Sequence, residues 1–187
     1  MAMALAENPC LDADFLEACK QGDPQAFRHL FETYKDLVYS FALRFSGDPS
    51  RAADITQDIF VKLYSRIQEF RGDSRFETWL YRVVSNACID EQRRRKRFLP
   101  WLTSLDQTLL HPAFQERDAV REQAAETVRK AISKLKPVLR VPVLLRYMED
   151  LSYEEIGEVL GIAAGTVASR LNRAHKLLGD KLQRDAR

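Results

Sequence analysis

Apolar residues in the first half of the chain recur every three or four positions, the period of an amphipathic helix. After Asp23-Pro24, an N-cap carboxylate followed by proline at the first helical position, Phe27, Leu30, Phe31, Tyr34, Leu37, Val38, Phe41 and Phe45 form one stripe. One long helix is predicted. Gly47-Asp48-Pro49 repeats the start signal and opens a second helix, with stripe Ala52, Ile55, Ile59, Leu63 and Ile67, ending near Phe70. Beyond the loop Arg71-Gly72-Asp73, Ser74 and Glu77 have the spacing of a capping box, and Trp79, Leu80, Val83, Val84, Ala87 and Cys88 supply a third buried face. The period stops at Phe98-Leu99-Pro100, so residues 98–119, with Pro100 and Pro112, read as a flexible linker too long for a compact domain. It resumes at Val120, Ala124, Val128, Ala131 and Leu135 and breaks at Lys136-Pro137. No strand alternation occurs. The pattern predicts an all-α chain of two small helical domains, 11–97 and 120–187, with 1–10 as an N-terminal extension.

The segment from Leu151 to Leu178 is the most specific. Ser152 and Glu155 form another capping box, Ile156 and Leu160 are core positions, and Gly161 ends a short helix. Ile162 anchors a tight turn. From about Ala164 a new helix turns Val167 and Leu171 inward and Thr166, Ser169, Arg170 and Arg173 outward. Small Gly157, turn Gly161 and apolar Val167 have the spacing of a helix-turn-helix, and the outward donors suit base edges and phosphates.

Composition narrows the field. The 187 residues are 45% hydrophobic and carry a net charge of +2, which allows real cores and names no partner. The distribution of charge says more. Residues 1–60 hold five basic and ten acidic side chains, residues 61–100 ten and five, and residues 164–187 six and two. Two basic surfaces, one including Arg93 to Arg97, suit two contacts with one polyanion. Cys10, Cys19 and Cys88 include no C-x-x-C pair, the three histidines are scattered, and no nucleophile, phosphate-loop, dinucleotide or zinc motif occurs. Neither catalysis nor a metal, cofactor or small-molecule substrate is expected. With no long apolar run and no basic leader, the chain is expected to be soluble and cytoplasmic rather than membrane-spanning.

Taken together, LRYMEDLSYEEIGEVLGIAAGTVASRLNRAHKLL, AADITQDIFVKLY and FRGDSRFETWLYRVVSNACIDEQRRRKR resemble, in that order, region 4, region 2.2 and regions 2.3 to 2.4 of bacterial extracytoplasmic-function sigma factors. The resemblance covers roughly 11–97 and 120–182. It implies a dissociable initiation subunit without chemistry of its own, whose region 2 bundle binds the clamp helices of the largest subunit of core RNA polymerase and opens −10 promoter DNA. Region 4 reads the −35 element. A dedicated anti-sigma factor, often held at the membrane, is the implied regulator.

The residues suit those roles. Asp54, Gln57, Asp58 and Val61 lie largely off the stripe of the second helix and offer a mixed acidic and apolar face to a protein, or else a merely solvated surface. Arg82, Asn86, Asp90, Arg93 and Arg94 follow the polar side of the capped helix beside the loop Arg71, Gly72, Asp73 and Ser74, the parts needed to hold an unstacked base and its backbone. Phe76 is a stacking candidate, as is Trp79, whose place on the apolar stripe favours the core. Thr166, Ser169, Arg170 and Arg173 are the −35 set. Three departures stand out: Gly157 where the family usually has Ala, Pro142 inside an apolar run that predicts a kink or a late helix start, and the poor cap Ala163-Ala164-Gly165. A free-standing helix-turn-helix repressor with a helical dimerisation domain explains residues 137–182 equally well. It leaves the basic run and the acidic face around Asp54 unexplained, and a protein-binding adaptor leaves both basic surfaces unexplained.

Overall fold

The computed structural model describes residues 13–98 and 119–185, and no strand occurs among them. The chain forms α1 (Ala13–Lys20), α2 (Pro24–Ser46), α3 (Pro49–Arg66), a single 3-10 turn (Ile67–Glu69) and α4 (Phe76–Phe98). Helices α5 (Ala119–Ser133), α6 (Pro137–Tyr147), α7 (Tyr153–Leu160) and α8 (Ala164–Asp185) complete it. The expected linker lies outside the described residues, apart from its ends.

Local chemistry sets the helix ends where the pattern put them. The Asp23 carboxylate accepts from the Gln25 N–H at 2.7 Å and the Ala26 N–H at 3.3 Å, and Pro24 gives up no hydrogen bond at N1. Gly47, at φ 71°, closes α2 in the left-handed region, with its N–H 2.7 Å from the Leu43 carbonyl. Asp48 then caps α3 through the Arg51 N–H at 3.0 Å. Helix α4 starts at Phe76, one residue later than a box on Ser74 and Glu77 implies. The Glu77 carboxylate instead accepts from the Tyr34 hydroxyl at 2.9 Å, which ties α4 to α2. Burial beside Glu77 pushes the Tyr34 phenol well above its ordinary range.

The first bundle buries Leu30, Val38, Phe41, Phe45, Ile59, Leu63, Leu80 and Val84 almost completely. Phe31, on the predicted stripe, is an exception at 38% exposed. Cys88 is fully enclosed, and burial pushes its thiol up to about 12. Cys19, on the short α1, rises to about 11 for the same reason. Neither is a ready thiolate at neutral pH.

In the second bundle α6 continues through Pro142, so the expected kink or late start does not shorten it: Pro137 stands at its first turn and Pro142 is buried mid-helix. The capping box on α7 is complete, with the Ser152 hydroxyl accepting from the Glu155 N–H at 3.1 Å and Glu155 accepting from the Ser152 N–H at 2.7 Å. Val167, Leu171 and Ala174 seat α8 on α6 and α7. The two bundles also meet each other, α4 against α6 and α7, and α2 against α5 and α6. Their buried residues form one continuous cluster. No described helix is long and apolar enough to cross a membrane.

Candidate nucleic-acid and partner interfaces

Three surfaces gather the residues singled out by the sequence. The first is a cavity of about 420 Å³ between α3, the loop after the 3-10 turn, and α4. Arg71, Asp73 and Ser74 enter it from the loop, and Arg82, Asn86 and Asp90, spaced one turn apart, enter it from one face of α4. Gly72 sits at φ 81°, the left-handed conformation that lets the loop reverse above the opening. The opposite wall comes from Lys62 and Arg66 of α3 and from Glu69, none of them in the expected set. Lys62 and Arg66 lie off the apolar stripe of α3, and Glu69 lies in the 3-10 turn that follows it.

Trp79 has two roles that the pattern set against each other. It packs against Phe70 at 5.6 Å and Phe76 at 5.7 Å between ring centroids, and it also lines the cavity. Phe76 is buried core. Arg93 and Arg94 lie beyond the cavity. Arg93 pairs with Asp90 at 3.5 Å, and Arg94 pairs with Glu91 and, at 3.7 Å, with Asp58 of α3. The basic end of α4 is therefore partly neutralised by neighbouring carboxylates.

The second surface is on the far side of α3. Asp54, Gln57, Asp58 and Val61 are all exposed, and Val61 is 64% accessible. Gln57 and Val61 line a shallow apolar groove of about 650 Å³ between α2 and α3, whose walls include Phe27, Phe31, Tyr39, Phe60 and Tyr64, whereas Asp54 and Asp58 are not among its lining residues. Tyr64 is 57% exposed and stands edge-on to Phe27 at 5.0 Å. The aromatic side of this groove escaped the sequence reading, because Phe27 and Phe31 share the stripe of true core residues on α2.

The third surface is the outer face of α8, where Thr166, Ser169 and Arg173 are exposed and Arg170 is partly so. The Ala163 carbonyl accepts from the Thr166 N–H at 2.8 Å and the Val167 N–H at 3.2 Å, the ordinary first bonds of the helix. The Ser169 hydroxyl donates to the Thr166 carbonyl at 3.2 Å, which holds it along the helix.

Residues 30–98 match the family model of sigma-70 region 2, and residues 125–178 match that of sigma-70 region 4. The extracytoplasmic-function (ECF) RNA polymerase sigma factor SigW of Bacillus subtilis is 32% identical over 177 residues, covering 90% of this chain and 95% of that protein. The chain is an ECF sigma factor. The RNA polymerase sigma-H factor of Pseudomonas aeruginosa is 34% identical (92% and 94% covered), and the ECF sigma-E factor of Escherichia coli K12 is 33% identical (92% and 94% covered). Among solved structures, CnrH in complex with the cytosolic domain of CnrY aligns with a TM-score of 0.65 at 24% identity, over 92% of this chain and 97% of that one. The sigma factor RpoE of Bartonella quintana, in complex with the anti-sigma factor NepR, aligns with a TM-score of 0.64 at 23% identity, over 84% and 96%. Both share the fold.

The glycine in the helix-turn-helix of this sigma factor has a local cause. A Cβ at Gly157 would stand 2.7 Å from the backbone carbonyl oxygen of Ile162, whose own N–H bonds the Gly157 carbonyl at 3.0 Å. The turn passes too close to α7 for any side chain without moving backbone. Gly157→Ala gains about 1 kcal/mol in helix propensity, yet overpacking of this kind costs about 1–3 kcal/mol. We expect a net loss of stability, visible as a lower melting temperature in circular dichroism. A raised melting temperature would show that the turn relaxes freely.

Proposed function

We propose that this sigma factor binds core RNA polymerase through the α2–α3 groove and the exposed α3 residues Asp54, Gln57, Asp58 and Val61, and directs initiation by reading two promoter elements. On this reading residues 11–97 form the domain that engages polymerase and the −10 element, and residues 120–187 the domain that reads −35. The observation that carries the reading is the cavity where Asn86, Asp90 and the 71–74 loop meet Lys62 and Arg66. Its volume suits one extruded base, its amide and carboxylates offer both donors and acceptors, and its cations suit the flanking phosphates. Arg71, Gly72, Asp73, Ser74, Arg82, Arg93 and Arg94 complete the −10 set. Thr166, Ser169, Arg170 and Arg173 approach the major groove at −35, as outward donors of a second helix do.

No residue has a catalytic part in this account, and no cofactor is needed. The proposed partners are polymerase, promoter DNA and an anti-sigma factor, since RpoE of Bartonella quintana is bound by one. The place of action is the cytoplasm, with polymerase. The test is transcription in vitro with core polymerase and the Arg170→Ala/Arg173→Ala variant. Loss of two cations and a base contact is expected to lower initiation about tenfold or more on promoters that depend on −35 and to weaken its salt dependence. Equal initiation by the variant, with unchanged −35 preference, would remove α8 from the reading.

A further inference from the structure

We propose that the short helix α1 is a brace for the cavity, in which Lys20 and Gln68 fix the stem from which Phe70 and the 71–74 loop enter it. This rests on the reading of that cavity as the base-holding site. It gives a positioning part to a helix that lies ahead of residues 30–98, the stretch matching sigma-70 region 2.

With eight residues, α1 is too short to persist as an isolated helix, so it exists by docking. Cys19 is buried in the core, and Phe15 and Leu16 pack beside it. The helix rests on α2 and on the 3-10 turn Ile67–Glu69. At its C-terminal end the carbonyls of Glu17, Ala18 and Cys19 accept from the backbone N–H groups of Gln21, Asp23 and Gly22 at 2.9, 3.1 and 3.1 Å. The Lys20 carbonyl accepts instead from the Gln68 side-chain amide at 3.3 Å. A residue of the 3-10 turn thereby closes the end of α1.

Each residue from Ile67 to Phe70 is held from a different side. Ile67 is sunk in the core, Gln68 is tied to α1, and Glu69 lines the cavity. Phe70 lines it too, with the rings of Phe76 and Trp79 on the α4 side, each 5.6 Å away, and the Lys20 ammonium 6.0 Å from its own ring centroid. The Lys20 side chain is 26% exposed, so the cation is partly desolvated where it meets the ring. Its other partner, Glu17 at 3.5 Å, belongs to α1 itself and keeps Lys20 on that helix.

Residues 71–75 have no helix of their own, so where Phe70 leaves the 3-10 turn sets how Arg71, Asp73 and Ser74 face Asn86 and Asp90. A binding site of this kind works with its groups within about 0.5 Å of the required geometry. Loosening the stem shifts one wall of the cavity against the other. Lys20 and Gln68 are not among the residues lining the α2–α3 groove, so the brace acts on base capture and not on the polymerase contact.

The test uses holoenzyme assembled at saturating core polymerase. Fluorescence anisotropy with a −10 fork oligonucleotide is expected to show about fivefold weaker binding by Lys20→Met/Gln68→Ala, with smaller differences between single-base variants of −10. Lys20→Met alone, which keeps the apolar stem and removes the cation, gives part of this loss. Lys20→Arg restores a cation over the ring and is expected to stay within about twofold of the wild type. Affinity for core, from competition with labelled wild type, should change by less than about twofold in every variant. Fork binding unchanged by the double variant, core affinity falling in parallel with it, or Lys20→Arg as weak as Lys20→Met would overturn the brace. Asn86→Ala on the same oligonucleotides separates the two readings. If it leaves binding unchanged, the cavity is not the base-holding site; if it weakens binding and the double variant does not, the brace alone fails.

Discussion

Asn86→Ala is expected to flatten −10 discrimination, costing about 1–3 kcal/mol, or roughly 5- to 150-fold, in open-complex formation on a preferred promoter. The amide can donate and accept at once, which a base edge requires and a methyl group cannot replace. Asn86 is exposed on α4 and lines the cavity beside Asp90. Its replacement leaves the core below it, Val84 and Cys88, untouched. Folding stability should therefore change by no more than about 0.5 kcal/mol. Permanganate reactivity of promoter thymines, followed over single-base variants of −10, separates the two effects. If Asn86→Ala opened all variants with wild-type ranking, the cavity would not be the base-reading site.

Tyr64→Ala is the second large effect, and it acts before any DNA is bound. An exposed aromatic at the edge of an apolar groove is the kind of residue that dominates a protein interface, and truncation of such an anchor costs about 2 kcal/mol or more. We expect core-polymerase affinity to fall about 30-fold, measured by competition of labelled wild type with the variant for core. Asp58→Arg should do less, since Asp58 does not line the groove, already faces Arg94 at 3.7 Å and is half exposed. Affinity unchanged by Tyr64→Ala would move the polymerase contact off this groove.

The helices were legible in the sequence because their signals are local. Asp23-Pro24, Gly47-Asp48-Pro49, and Ser152 with Glu155 each act within one turn, and the caps they predict are made. Where a side chain had a distant partner, local reading erred: the Glu77 carboxylate is engaged by Tyr34, 43 positions earlier. Pro142 suggested a kink or a late helix start, and α6 runs through it from Pro137 to Tyr147. For the candidate site, one wall of the cavity was legible because Arg82, Asn86 and Asp90 share a helix face at a spacing of four. The other wall was not, since Lys62 and Arg66 approach from a helix whose polar side gives no cue to what faces it. The aromatic groove was hidden for a related reason: periodicity counts Phe31 as core and cannot tell that its neighbours leave it 38% exposed. Nothing local marks Gln68 either, since an exposed amide just past the end of α3 gives no sign that the last carbonyl of α1 lies against it.

The central claim is that one chain reads two separated elements, and does so as a subunit of polymerase. The most direct test is transcription in vitro from a promoter pool in which the −35 and −10 blocks are randomised independently, with core polymerase and with or without this protein. The account predicts initiation only when both proteins are present, with enrichment in both blocks at one fixed spacing. Enrichment of a single palindrome bound without polymerase, and no core-dependent start site, would contradict it and leave the helix-turn-helix as part of a repressor.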